Sequence, residues 1–143
     1  MIIFSDDKTR LQVDRVHAWL ASSYWSPDIA RAQVEKAIAG SHCLGVYRDG
    51  VQVGFARMIT DHASFAWLDD VWVEAENRGE GLARRMVQWF IDHPDFQGIR
   101  RMMLVTRDAH GVYEGVGFQP LIRPERFMER LTPEIANLLR ASQ

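Results

Sequence analysis

The run with the most suggestive chemistry in this chain of 143 residues is Glu76-Asn77-Arg78-Gly79-Glu80-Gly81-Leu82-Ala83-Arg84-Arg85. Two glycines one residue apart strip side chains from a turn and permit backbone angles closed to other residues. If a helix begins there, its first N–H groups have no acceptor inside the helix. They also lie at the positive end of its dipole. Such a turn suits an anion, phosphate above all. Arg78, Arg84 and Arg85 add positive charge at the same place in a chain of net charge −2. The run is not a Walker loop, which needs GxxxxGK, and it is not GxGxxG, because Arg84 stands where the third glycine would. A GxG turn alone is also what a plain strand-to-helix connection looks like. Elsewhere, His62 and His110 are candidates for acid–base work, to which imidazole side chains are suited.

These residues need elements to position them. Residues 2–4 (IIF) predict a first strand. Apolar residues at helical spacing from Leu11 to Leu20 predict a helix with Thr9 as N-cap. After SSYWSP, residues 28–39 predict a second helix that stops at Gly40. His42–Tyr47, the turn signature RDG and VQVGFARMIT predict a hairpin, with FAWLDDVWV (65–73) as its third strand. From Gly81 to Ile91 the period becomes helical, with Leu82, Met86, Trp89 and Phe90 on one stripe. A strand over 99–106, a short helix in DAHGVYEGV, a last strand at FQPL and a C-terminal helix over 132–141 complete the order. Thr132 caps that helix and Pro133 takes its first position. The class is α/β in the broad α+β sense, with a mixed central sheet and helices on both faces. One domain over 1–143 is expected, since no linker, repeat or low-complexity tract divides the chain.

Arg78-Gly79-Glu80-Gly81-Leu82-Ala83 resembles the Q/R-x-x-G-x-G/A motif of the Gcn5-related N-acetyltransferases, and DVWV (70–73) resembles its entry strand. Downstream, Ala109-His110-Gly111-Val112-Tyr113-Glu114-Gly115-Val116-Gly117-Phe118 resembles the family's second signature, A-x-x-x-Y-x-x-x-G-F. Together the two motifs cover residues 66–120, in the right order and on the right elements.

The resemblance implies acetyl-coenzyme A as cosubstrate and no metal. It places the pyrophosphate on the amides of Arg78, Gly79, Glu80, Gly81, Leu82 and Ala83, with Arg84 beside them. The pantetheine arm would lie along Val71, Trp72 and Val73 as an added strand. Tyr113 takes the place of the acid that protonates the departing thiolate. Where some members carry a basic glutamate, this chain has Trp67; Asp69, two residues on and on the same face, is the candidate base or else a site for the amine's cation, and Asp70 is expected on the opposite face. Water relays are the alternative. Thr106 stands where the second motif often begins with asparagine, and its hydroxyl is the candidate contact to the arm. Arg107 and Asp108 read as an ion pair or as walls of an acceptor pocket.

In this fold the loop between the first two helices lines the acceptor site. Tyr24 and Trp25 would then form an aromatic wall for a cationic amine, with Trp67 and His110 as further candidates. Arg57, Asp61, Arg126 and Phe127 are candidates for binding a carboxylate-bearing acceptor. The expected activity is transfer of an acetyl group to a primary amine of a small-molecule or peptide acceptor. The alternatives are a non-catalytic acyl-CoA-sensing module and an unrelated nucleotide-binding domain.

Charge argues against other partners. A net charge of −2 provides no global field for nucleic acid or an anionic membrane. No apolar run approaches the ~18 residues of a membrane span, and the N-terminal stretch turns charged after four residues. The lone cysteine, Cys43, excludes an internal disulfide and a cysteine-based zinc cluster. A cytoplasmic protein is expected. The five tryptophans leave open a homodimer contact that sequence does not place.

Overall fold

A computed structural model describes residues 1–141. Five strands form one sheet in chain order: β1 (Ile2–Ser5), β2 (His42–Arg48), β3 (Val51–Thr60), β4 (Phe65–Val73) and β5 (Arg101–Met103). The first three pairings are antiparallel and β4–β5 is parallel. The helices are α1 (Val13–Ala21), α2 (Arg31–Ala39), α3 (Leu82–Asp92), α4 (His110–Glu114) and α5 (Pro133–Ala141). None of them is long and apolar enough to cross a membrane.

The β2–β3 hairpin closes on Asp49 and Gly50, both left-handed at φ 49° and 83°, with Arg48 opposite Val51. Two left-handed residues give the turn whose twist matches the flanking strands, which is what an Asp-Gly pair supplies. Alternation along the strands then divides the core. On one face Leu44, Val46, Val53, Ala56, Met58, Ala66 and Leu68 pack against the α3 stripe of Leu82, Met86, Val87 and Phe90. On the other, Cys43 and Phe55 pack against Val16 and Leu20 of α1 and Val34 and Ile38 of α2. Helices therefore cover both faces, as the pattern predicts.

Four local expectations need correction. Thr9 does not cap α1. Its N–H and hydroxyl both donate to Asp7 Oδ1 in a 3-10 turn over Lys8–Arg10, and α1 starts after Gln12. The second helix begins at Arg31 rather than at residue 28, because Asp28 is left-handed at φ 58°. The strand expected over 99–106 pairs only at Arg101–Met103. No strand forms at FQPL. Gly117 turns the chain at φ 102°, and Pro120 has no N–H to offer a ladder. The C-terminal helix is capped as expected, with Thr132 Oγ1 accepting from the Ile135 N–H at 3.3 Å.

Candidate active site

The site begins with two parallel strands that separate. β4 stays paired to β3 as far as Gly54 opposite Val73. On its other edge it pairs with β5 only through Trp67 opposite Met103. Beyond Trp67 that edge has no strand partner among the described residues, and residues 104–107 run along the far wall of a cleft of about 1290 Å³. Val71, Trp72, Val73, Leu104, Val105 and Thr106 line it. Unpaired strand edges carry N–H and C=O groups that need partners, so an extended, amide-bearing ligand fits between these walls.

The glycine turn closes one end. Gly79 and Gly81 are left-handed at φ 88° and 73°, and a Cβ at either would meet nothing within 4 Å. The pair thus supplies a conformation closed to most residues and keeps the approach to the backbone clear. Gly81 is the N-cap of α3, and its carbonyl accepts from the Arg85 N–H at 3.0 Å. The N–H groups of Leu82, Ala83 and Arg84 have no acceptor among the described residues. Arg78 donates from Nε to the Val73 carbonyl at 2.9 Å and stacks on Trp72. Arg84 donates to the Gly115 carbonyl at 2.8 Å, tying α3 to the end of α4. Both arginines line the cleft. Arg85 does not; its guanidinium covers the Phe4 ring instead. The Glu80 side chain pairs with Arg48 at 2.7 Å, outside the cleft lining.

At the middle of β4 the strand is irregular. Its register with β3 shifts between Phe55 and Arg57, and Asp70 is left-handed at φ 53°. This bulge breaks the two-residue alternation and overturns the expectation that Asp70 faces away from Asp69. Both carboxylates meet Arg57: Nε donates to Asp70 Oδ2 at 2.6 Å and Nη2 to Asp69 Oδ2 at 3.2 Å. Asp70 also accepts from Trp25 Nε1 at 2.7 Å, and its own N–H donates to Asp69 Oδ1. Asp70 is buried, with each carboxylate oxygen already accepting a bond; the Asp69 side chain keeps a third of its surface open. Burial, and next the neighbouring Asp70 charge, push the Asp69 carboxyl above the usual carboxylate range, against the pull of Arg57.

Tyr113 of α4 lies in the cleft wall, half-buried, with its ring edge-on to Phe118. Its hydroxyl bonds no group among the described residues. Burial, then Tyr24, raise its pKa, so the phenol stays a proton donor at neutral pH. Tyr24 accepts from the Arg107 N–H at 3.2 Å and carries the Arg107 guanidinium over its ring at 3.8 Å. It meets Trp25 edge-on, and Trp25 in turn faces Trp72. Tyr24, Trp25 and Trp67 all line the cleft. Thr106 lines it too; its Oγ1 accepts from the Ala109 N–H at 3.1 Å, which leaves its proton and one lone pair for a ligand.

Residues 9–118 match the Acetyltransferase (GNAT) family. The chain belongs to this family. It is 34% identical over 129 residues to a Gibberella zeae protein assigned to the acetyltransferases, covering 74% of this chain and 72% of that one. It is also similar to a solved GNAT-family protein from Xanthomonas campestris pv. campestris, with 42% identity, a TM-score of 0.90 and 93% and 94% of the two chains covered. A Clostridium acetobutylicum protein solved with acetyl-CoA shares the fold at a TM-score of 0.67 and 16% identity, over 92% of this chain and 96% of that one.

The GNAT cleft assembles most of the residues singled out in the sequence but not all. His110 is exposed at the start of α4 and does not line it. His62 joins a separate cluster with His42. Asp61 is spent on its own turn, accepting from Ala63, Ser64 and Phe65 N–H groups. Phe127 packs against Arg101, away from the cleft. Neither Arg126 nor Asp61 lines the cleft, and Arg57 is held by its two aspartates. The tryptophans are all half-buried rather than exposed. Sequence reasoning missed that Ile135, Leu138 and Leu139 of α5 reach the cleft, and that Asp70 anchors Trp25. The adjacent Asp69-Asp70 pair in an apolar strand was the available signal for the bulge.

Proposed function

We propose that this GNAT protein moves an acetyl group from acetyl-CoA directly to a primary amine of a small-molecule or peptide acceptor in the cytoplasm. The observation that carries the reading is the union of two features in one cleft: an edge of β4 without a strand partner among the described residues, and a glycine turn whose amides have no acceptor among them. The amides of Gly81 through Arg84 suit the pyrophosphate, and the Val71–Val73 edge suits the amide-bearing arm.

The chemistry asks for three things: a neutral amine, stabilisation of the oxyanion and a proton for the leaving thiolate. Asp69 takes the proton from the incoming ammonium. Its raised pKa makes it a better base than an ordinary aspartate, and Arg57 and the Asp70 N–H hold it in place. Tyr113 gives its phenolic proton to the sulfur and recovers one from solvent. Tyr24, Trp25 and Trp67 surround the acceptor end with aromatic faces, which favours a cationic amine.

The test is release of free thiol from acetyl-CoA across a panel of amines, with coenzyme A binding measured in parallel. Turnover with a primary amine supports the reading. Coenzyme A binding without thiol release for any amine would favour an acyl-CoA-sensing module. Tight ATP or NAD binding without coenzyme A binding would remove both.

A further inference from the structure

A second cluster of titratable side chains lies at the opposite end of α3. Asp6 follows β1, His42 opens β2 and His93 is the C-cap of α3. His42 Nε2 is 2.9 Å from Asp6 Oδ2, and His93 Nε2 is 3.6 Å from the same oxygen. One donor atom from each of the three falls within 4.8 Å of the others. His42 Nδ1 lies 2.9 Å from His62 Nε2. Phe90 and Phe96 pack edge-on against the His42 ring. Three of the chain's five histidines meet here, more than a solvated face requires. With eleven residues in α3, this cluster stands about 16 Å from the glycine turn, and none of its members lines the cleft.

We propose that Asp6, His42 and His93 bind a divalent transition metal of the zinc class. Two imidazoles and a carboxylate are donors that zinc takes, at about 2.0–2.2 Å, which sets tetrahedral donors roughly 3.4 Å apart. The two separations from Asp6 bracket that spacing. The His42 and His93 side chains are 13% and 19% exposed and Asp6 is 40% exposed. The rings are thus held by packing while Asp6 opens the fourth position to water.

The surroundings also match a metal's needs. A ligating histidine donates its other ring N–H to a fixed acceptor, which sets the tautomer. For His42 that acceptor is His62 Nε2. In a metal-free site with neutral rings, the two short contacts are both satisfied when His62 Nε2–H donates to His42 Nδ1 and His42 Nε2–H donates to Asp6. On binding, each ring keeps one proton and moves it to Nδ1, so the direction of the His42–His62 bond reverses. His93 makes the same exchange. Its Nδ1 now accepts the Asp95 N–H at 3.0 Å, and the Asp95 carboxylate waits 4.0 Å away to accept the proton instead. Asp95 is therefore a positioning residue. The metal joins the end of β1, the start of β2 and the end of α3, and stands apart from acetyl transfer.

The experiment is a cobalt(II) titration of the chelator-treated full-length protein, followed by zinc competition and by thermal melting with and without zinc. The expected result is one equivalent of cobalt with the visible bands of four-coordinate geometry, displaced by zinc, and a Tm that rises with zinc. Combined His42→Ala and His93→Ala substitution abolishes the bands and the Tm shift, Asp95→Asn weakens binding by about 10–100-fold, and His110→Ala leaves it unchanged. Absence of stoichiometric binding by the wild-type chain overturns the proposal, whether or not the variants fold. So does binding retained in the double variant.

Discussion

Tyr113 and Asp69 both line the cleft, and the opposite roles proposed for them each predict a kinetic signature. Tyr113→Phe removes the donor and keeps the ring. We expect kcat to fall on the order of 10²-fold with coenzyme A affinity unchanged; unchanged turnover removes Tyr113 from the acid role. Asp69 must be ionised to act as base, so activity rises with pH through its folded pKa. Because burial and Asp70 raise that pKa, the acidic limb of kcat/KM lies above the ~3.9 of an ordinary aspartate. Asp69→Asn abolishes the limb along with most of the activity, and a limb that survives assigns it to another group. At the turn, Gly81→Arg fills the open space proposed for the pyrophosphate and strains a left-handed residue. Coenzyme A binding by calorimetry is expected to be lost. Gly81→Ala carries the strain with a far smaller side chain and is expected to lose less.

Elements hold these residues through burial. Phe90, fully buried on the α3 stripe, packs into the core between α3 and the sheet, at the end of the helix opposite the glycine turn. Phe90→Ala is expected to cost about 3–5 kcal/mol in urea unfolding; a loss below about 1 kcal/mol contradicts the packing. On the other face, burial pushes the Cys43 thiol up to about 11. The thiolate is the reactive form, so Cys43 resists alkylation at neutral pH in the native state and reacts on unfolding, which mass spectrometry reads directly. Strands β3 and β4 were legible to the residue, at 51–60 and 65–73, because alternating apolar residues and turn signals bounded both. The α1 start was not legible, because Asp7 outcompetes the helix for the groups of Thr9. Nor was the face of Asp70. Alternation assumes a regular strand, and the bulge depends on register with β3 and on the partners Arg57 and Trp25.

At the scale of the whole molecule, the cleft is a gap between parts distant in the chain. Its floor is β4, its far wall is residues 104–109 and 111–113, and α1–α2 loop residues and α5 complete the rim. Helix α5 buries no residue fully, yet Ile135, Leu138 and Leu139 line the cleft. Truncation after Arg130 is expected to leave the melting temperature nearly unchanged and to raise KM for the acceptor more than for acetyl-CoA. Equal effects on both would place α5 over the cofactor instead.

Sequence by itself determined strands β1–β4, helices α3 and α5, the glycine turn and the second motif, because these rest on local dihedrals, capping and periodicity that neighbouring residues dictate. The tertiary structure alone decided where the sheet splits, that Asp69 and Asp70 share Arg57, that His110 and Arg85 stand outside the cleft, and that Asp6, His42 and His93 converge. Those outcomes depend on strand register and on contacts between residues far apart in the chain, and no local pattern encodes them.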